Sequence, residues 1–136
     1  MTDPLTPVLS ANWDEERSWK LLNYERQGGY TGLRKALTMP PDDVVSLVKD
    51  ANLRGRGGAG FPTGMKWSFV PKDNPNPTYL VVNGDESEPG TYKDRLLMER
   101  DPHQLIEGCL IACYAAGLSQ CFLYVRGEMA VAQERI

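Results

Sequence analysis

Two short segments hold the residues with the most evident chemical potential. The first, residues 53–67, has the sequence LRGRGGAGFPTGMKW, which combines five glycines with two arginines and a lysine. Glycine loses more conformational entropy on ordering than any other residue, so such a cluster indicates positive φ angles or close approach of the backbone to a ligand. Successive backbone N–H groups can enclose an anion, and the adjacent cations favour a phosphate as that anion.

The second segment, NGDESE at residues 83–88, follows the short apolar run TYLVVN. It offers several oxygen acceptors to the N–H and hydroxyl groups of a polar ligand. Asn83 and Asp85 lie nearest the end of the predicted strand, where ligands bind in parallel sheets, and we expect them to contact such a ligand. For Glu86 the preferred interpretation is a solvated turn that caps the following helix.

Named phosphate motifs fit the glycine segment poorly. Gly55–Gly60 matches G-x-G-x-x-G, but that motif needs a preceding strand, and here a helix is predicted. A P-loop fails because Met65 precedes Lys66 and Trp67 stands where a hydroxyl ligand of Mg²⁺ belongs. RGG-type RNA-binding segments are repeated and disordered, unlike this single loop. An anion-holding concavity remains the interpretation.

Three aromatic side chains lie within or just after the glycine segment, Phe61, Trp67 and Phe69. They offer flat apolar surface on which a flavin, nicotinamide or adenine ring could lie. Considered alone, the same side chains are better explained as core.

The cysteines are odd in number, Cys109, Cys113 and Cys121, which favours free thiols in a reducing compartment over a disulfide framework. Cys109 and Cys113 share one face of a predicted helix, and the single histidine, His103, precedes them by six residues. A metal site is therefore conceivable, but small buried residues on an apolar face are the preferred interpretation.

Composition limits the class of protein. The 136 residues carry a formal charge of -3, and no apolar run approaches the roughly 20 residues of a membrane span. The acidic balance disfavours nucleic acid as a partner. The first residues lack the features of a secretory signal, so a cytoplasmic location without direct membrane insertion is expected.

The order of elements predicts an α/β fold. Residues 1–28 are expected to form an extended arm, and residues 29–136 part of one domain that is incomplete, because the sequence ends within a predicted helix. Two buried strands, one ending at Asn83 and one over residues 120–125, alternate with helices. The predicted helices cover Tyr30–Leu37, residues 41–53, residues 92–100, Pro102 to Gly117 and the residues after Gly127. This alternation indicates a parallel, Rossmann-like sheet with flanking helices and a right-handed crossover.

Four ordered blocks, LRGRGGAGFPTGMKWSF, VNGDESEPGTYKDR, DPHQLIEG and YVRGE, resemble the FMN- and NADH-binding flavoprotein component of respiratory complex I, that is, the F-subunit type of NADH-quinone oxidoreductase. The resemblance runs from about Tyr30 to the last residue. Diaphorase subunits of NAD-linked hydrogenases and formate dehydrogenases share these blocks. Two positions depart from the family pattern: Gly84 replaces an expected alanine, and Tyr92 a frequent cysteine.

The resemblance implies that FMN and NADH meet at the glycine loop, with Lys66 near the flavin phosphate or ring edge. Asn83, Asp85 and Glu88 match flavin and NADH contacts in the second block. No acid or base catalyst is implied, and Glu88 at most tunes the site. The full set of predicted cofactor-binding residues is Gly55, Arg56, Gly57, Gly58, Ala59, Gly60, Phe61, Pro62, Thr63, Gly64, Lys66, Phe69, Asn83, Asp85, Glu86 and Glu88, and no metal ligand is predicted.

The implied activity is hydride transfer from NADH to FMN, followed by single-electron transfer to a [4Fe-4S] cluster and onward to quinone. The implied partners are other hydrophilic complex I subunits, especially the small [2Fe-2S] subunit, in an assembly peripheral to the inner face of the cell membrane. The cluster ligands and further flavin contacts of the family would lie beyond Ile136, so this chain alone is expected to be inactive. A non-catalytic nucleotide-binding assembly module is the alternative from another class.

Overall fold

The computed structural model describes residues 7–136. Within them lie seven helices and two strands. In chain order these are α1 (Leu21–Arg26), α2 (Thr31–Ala36), α3 (Pro41–Asp50), α4 (Thr63–Ser68), β1 (Tyr79–Gly84), α5 (Lys93–Arg100), α6 (Pro102–Ala116), β2 (Gln120–Val125) and α7 (Ala130–Arg135).

Local sequence signals account for the limits of the longer helices. Proline occupies the first position of α3 and of α6. An N–H at this position would have no partner within the helix, so its absence in proline costs no helical hydrogen bond. Asp101 precedes α6 and its carboxylate accepts the N–H of Gln104 at 3.3 Å. At the other end Gly117 has φ +67°, which favours glycine, and terminates the helix. The predicted helix starts at Pro41 and Pro102 and the stop at Gly117 are confirmed.

The two strands are adjacent and parallel, which confirms the predicted α/β architecture. The prediction that both strands are buried is wrong. Exposed and half-buried residues alternate along each strand up to the buried Gly84 at the end of β1, and Val81 is 66% exposed and Tyr124 62%. An apolar run alone does not distinguish a strand covered on both faces from a strand covered on one face.

Two helices were not predicted, α1 and α4. Helix α1 falls within the segment expected to be an extended arm, and this segment also forms turns and buries Ser18 and Tyr24. Residues 1–6 of the arm lie outside the described residues, and the boundary at residue 28 stays a prediction.

The contacts divide the chain into two compact units. The first contains residues 7–30, Asn83–Glu107 and Leu123–Ile136, and its core is formed by Met98, Met129 and Ala132. The second contains Thr31–Val82 and Gly108–Phe122. Its core consists of Ala36, Val44, Val45 and Ala115, with Trp67 and Tyr114 among the side chains packed against it. Across the described residues, none of the helices has the length and apolar character needed to cross a membrane.

Candidate functional site

The glycine segment forms a loop closed at its base by backbone hydrogen bonds. The N–H of Gly55 donates to the carbonyl of Phe61 at 3.0 Å, and the N–H of Thr63 donates to that of Leu53 at 2.8 Å. The guanidinium of Arg54 also donates to the carbonyl of Gly60 at 3.3 Å. Backbone hydrogen bonds therefore close the base of the loop, and Arg54 is engaged within it.

The glycines of the segment meet different requirements. A Cβ on Gly64 would lie 2.5 Å from the backbone nitrogen of Lys49, so this glycine is needed for α4 to pack against α3. Gly60 has φ +69°, where other residues are strained. At Gly57 and Gly58 an added Cβ would meet no atom within 4 Å, and neither residue has a left-handed φ. Neither packing nor conformation requires glycine at these two positions, which is expected where the backbone itself must be approached by a ligand.

A cleft of about 630 Å³ lies beside the glycine loop, and this volume falls within the usual range for small-molecule sites. Its lining is Gly55, Gly57, Gly58, Ala59, Gly60, Phe61, Thr63, Lys66, Trp67, Val70, Thr78, Tyr79, Leu80, Val81, Ala116 and Leu118. Within residues 7–136 the ammonium of Lys66 has no hydrogen-bonding or ionic partner. The cleft thus combines accessible backbone N–H groups, an unpaired ammonium group and apolar side chains. The first two suit a phosphate, and the apolar side chains suit an aromatic group attached to it.

Eight of the predicted residues line this cleft, and three others from the segment, together with Phe69 just after it, do not. Arg56 is exposed outside the lining, Pro62 pairs with Arg54 in an isolated bridge, and Gly64 is buried against α3. Phe69 is 66% exposed and lies near Phe61, with ring centroids 6.2 Å apart. Sequence reasoning did not select the strand residues of the lining, because they were expected to be core.

The carboxylate of Glu86 caps helix α5. The backbone N–H of Asp94 donates to Glu86 Oε1 at 2.6 Å and that of Arg95 donates to Oε2 at 2.9 Å. The residue directly before the helix, Tyr92, makes no side-chain cap. Glu86 itself adopts φ +46°. The preferred interpretation of Glu86 as a helix cap agrees with these contacts, which occupy both of its oxygens.

A second cleft, of about 400 Å³, lies beside the loop after β1. It is lined by Glu86, Ser87, Glu88, Pro89, Gly90, Tyr92, Arg95, Arg126, Glu128 and Met129. Arg126 pairs with Glu128 at 2.7 Å and Arg95 with Glu99 at 2.7 Å. The Glu88 side chain is exposed and has no partner in the part of the chain that the structure describes, so its carboxylate is available to a ligand. The sequence analysis did not select Arg126 as a residue of this cleft. Its place directly after β2 was a usable signal, because ligands bind at the carboxyl ends of parallel strands.

Asn83 and Asp85 are outside the lining of this second cleft. The side-chain oxygen of Asn83 accepts the backbone N–H of Asp85 at 3.0 Å, which fixes the turn that leaves β1. Gly84, the departure from the family pattern, is buried, and a Cβ there would lie 3.2 Å from both Met98 Sδ and the carbonyl of Tyr124. Glycine relieves a tight contact at this position.

The three cysteines are free and partly exposed. No group of three or more candidate metal-ligating side chains is found among residues 7–136. His103 is engaged elsewhere, because its Nδ1 and the hydroxyl of Tyr30 are 2.9 Å apart and its ring stacks on that of Tyr24. Burial lowers the pKa of His103. The Tyr24 hydroxyl donates to Glu107, whose carboxylate also accepts the N–H of Tyr30 at 2.8 Å.

Comparison with known proteins assigns the family. The model of the Nuo51 FMN-binding domain matches residues 48–136, which is more than half of the chain. The chain belongs to the Nuo51 FMN-binding domain family. The matched range includes the whole glycine segment and the loop after β1, so the family assignment covers both clefts.

Similar curated proteins are much longer than this chain. The NADH-quinone oxidoreductase F subunit of Streptomyces coelicolor is 60% identical over 132 residues, which is 97% of this chain and 29% of that protein. The corresponding F subunit of Mycobacterium tuberculosis is 57% identical over 140 residues, which is 98% of this chain and 32% of that protein. The chain therefore spans about a third of the length of these relatives.

Solved structures show the same fold. A crystal structure of NAD⁺-reducing [NiFe]-hydrogenase in the air-oxidized state is similar with a TM-score of 0.65 and 37% identity, over 96% of this chain and 22% of that chain. The H₂-reduced state gives a TM-score of 0.59 and 45% identity, over 71% of this chain and 18% of that chain.

Proposed function

We propose that this chain forms part of an NADH-oxidising flavoprotein subunit, in which the glycine loop holds FMN. The observation that carries the proposal is the open backbone at Gly57 and Gly58 beside the uncommitted ammonium of Lys66. The match to the Nuo51 FMN-binding domain supports it. When bound, FMN would accept hydride from NADH and release the electrons one at a time.

In this proposal the residues of the chain bind and orient the flavin and the nucleotide. The N–H groups of the glycine loop and Lys66 hold the phosphate, and the apolar lining excludes water from the rest of the group. Glu88 provides a carboxylate to nucleotide hydroxyl groups in its own cleft. No residue is assigned as acid or base, because hydride transfer needs alignment rather than proton transfer. Arg56, Pro62, Gly64 and Phe69 lie outside the cleft lining and are weaker ligand candidates.

The wider setting is also a proposal. From the family resemblance of the sequence blocks we infer that electrons would pass to a [4Fe-4S] cluster of the longer protein, with the small [2Fe-2S] subunit as a neighbour. Quinone as the final acceptor is in line with the name of the Streptomyces relative. The assembly would lie on the inner face of the cell membrane. The chain on its own is expected to be inactive, which NADH-dependent dye reduction by the 136-residue chain and by a protein of the relatives' length would test.

The similarity to NAD⁺-reducing hydrogenase favours a second candidate, a diaphorase subunit that delivers electrons to or from a hydrogenase. Formate dehydrogenase diaphorases and a non-catalytic assembly module remain alternatives. The subunits that copurify with the native protein distinguish the enzyme complexes, and flavin absorbance with NADH-dependent bleaching distinguishes all of them from the assembly module.

Substitution of Lys66 tests the flavin site itself. Lys66→Ala removes one charge-assisted hydrogen bond, worth about 1.5–3 kcal/mol, so FMN affinity should fall by roughly one to two powers of ten. Lys72→Ala is the matched control, since Lys72 is paired with Asp42 and lies outside the cleft. Both variants should be compared by FMN titration in the protein of the relatives' length. Equal FMN affinity of the Lys66 variant and wild type would remove Lys66 from the site.

A further inference from the structure

The strand side of the glycine-loop cleft carries an aromatic residue that sequence reasoning did not select. Tyr79 is the first residue of β1, lines the cleft and is 49% exposed. Val81, on the same face of the strand, also lines the cleft and is exposed. A large aromatic side chain that is half exposed within a concave site is available to the ring of a ligand.

The ring of Tyr79 is in contact with that of Phe122 on β2. The two ring centroids are 5.8 Å apart and the ring planes are inclined by 71°, which is the edge-to-face arrangement that aromatic pairs favour. Phe122 lies on the strand adjacent to β1 and is outside the cleft lining. Contact with Phe122 limits the orientations of the Tyr79 ring, so less conformational entropy is lost when a ligand packs against it.

The polar groups of the cleft belong to other elements. The proposed phosphate donors are the backbone of the glycine loop and the ammonium of Lys66 on α4, whereas the strand contributes Tyr79 and Val81. In FMN the phosphate and the isoalloxazine ring system are at opposite ends of the ribityl chain. The two ends of this ligand thus correspond to two different sides of the cleft.

We propose, on the basis of the proposed FMN site, that Tyr79 packs against the isoalloxazine ring system and that Phe122 is a positioning residue that acts through Tyr79. This contact contributes affinity for the ring system and none for the phosphate. It therefore serves riboflavin, which lacks the phosphate, as well as FMN. Loss of one aromatic contact of this kind lowers affinity about two- to tenfold.

Titration of the flavin-free protein of the relatives' length with FMN and with riboflavin tests the ring contact. Tyr79→Ala should weaken the binding of both flavins by the same factor, about two- to tenfold, and Tyr79→Phe should retain wild-type affinity for both. Tyr124→Ala is the matched control, because Tyr124 is an exposed tyrosine of β2 outside the cleft lining, and it should change neither affinity. Lys66→Ala should weaken the binding of FMN alone.

A double-mutant cycle tests the positioning role of Phe122. Phe122→Ala should weaken the binding of both flavins in the wild-type background and have no effect when Tyr79 is already alanine, because its contribution passes through that ring. Both side chains are half exposed, so the flavin-free variants should keep the fold, which thermal unfolding checks. An equal loss of affinity from Phe122→Ala in both backgrounds would overturn the positioning role.

The outcomes distinguish this inference from the proposed function on which it rests. Wild-type affinity of Tyr79→Ala for both flavins, or a loss of affinity for FMN alone, would overturn the ring contact and leave the phosphate site intact. An unchanged FMN affinity of Lys66→Ala would count against the phosphate site instead, whatever the Tyr79 variants show.

Discussion

Two glycines of the glycine segment, one in α4 and one in the loop, should respond in opposite ways to replacement by alanine. In Gly64→Ala the new methyl carbon would lie 2.5 Å from the nitrogen and 2.9 Å from the Cα of Lys49. Both are backbone atoms of α3, so the contact is relieved only if α3 and α4 move apart. Overpacking of this kind costs about 1–3 kcal/mol, against a gain of up to about 1 kcal/mol from replacing a helical glycine. Because both clashing atoms are backbone, the cost lies in the upper part of that range, and we expect a net loss of roughly 1–3 kcal/mol.

Gly58→Ala should leave the fold intact and weaken the ligand instead. No atom lies within 4 Å of the added methyl group, and φ is not left-handed there. The free energy of unfolding should therefore be unchanged or increase by about 0.4–1 kcal/mol, because alanine lowers the conformational entropy of the unfolded chain. The methyl group occupies space in the proposed flavin cleft, and loss of about one hydrogen bond would lower FMN affinity by roughly tenfold.

Thermal unfolding of the flavin-free protein and FMN titration, applied to both variants, separate the two effects. At about 2–4 °C per kcal/mol for a chain of roughly 150–250 residues, the change in Gly64→Ala is measurable. Wild-type stability in Gly64→Ala would refute the packing argument. Wild-type FMN affinity in Gly58→Ala would show that the open space at Gly58 is not used by the ligand.

Three further outcomes are expected. Glu86→Ala removes the cap of α5, worth about 0.5–2 kcal/mol, and should accelerate amide hydrogen exchange at Asp94 and Arg95, whereas Glu88→Ala should not. Glu88→Gln should change the efficiency of NADPH relative to NADH, because a carboxylate repels an added phosphate; an unchanged ratio counts against a Glu88 contact. Burial lowers the pKa of His103. The neutral ring is therefore favoured in the folded state, and its contribution to the free energy of unfolding is complete above about pH 6.5 and declines at lower pH. An NMR titration that finds a raised pKa for this single histidine would contradict the structure.

Local signals predicted much of the fold. Proline at helix starts, glycine at a helix stop and short apolar runs specify single elements, and these were placed correctly. Helix α4 was missed because Gly64 lowers the helix propensity of a short segment that is stabilised by packing on α3. The cap of α5 by Glu86 was the preferred interpretation of that residue, but its partner Asp94, eight positions later, and the φ of +46° at Glu86 are not visible in the composition. Sequence patterns report neighbours along the chain, and these two features depend on tertiary geometry.

The exposure of β1 and the shape of the glycine-loop cleft have a common explanation. Tyr79 and Val81 are exposed apolar residues of this strand, and both line the cleft together with Phe61. Because β1 was predicted to be buried, its residues were not selected as part of the candidate site. The side chains that were assigned to the core are the ones that line the cleft. If FMN occupies this cleft, its phosphate meets the glycine backbone and Lys66 while the strand offers apolar surface to the rest of the group. That division places the polar and apolar halves of the ligand on separate elements, a loop closed at its base and a strand, so that the site discriminates by shape as well as by charge.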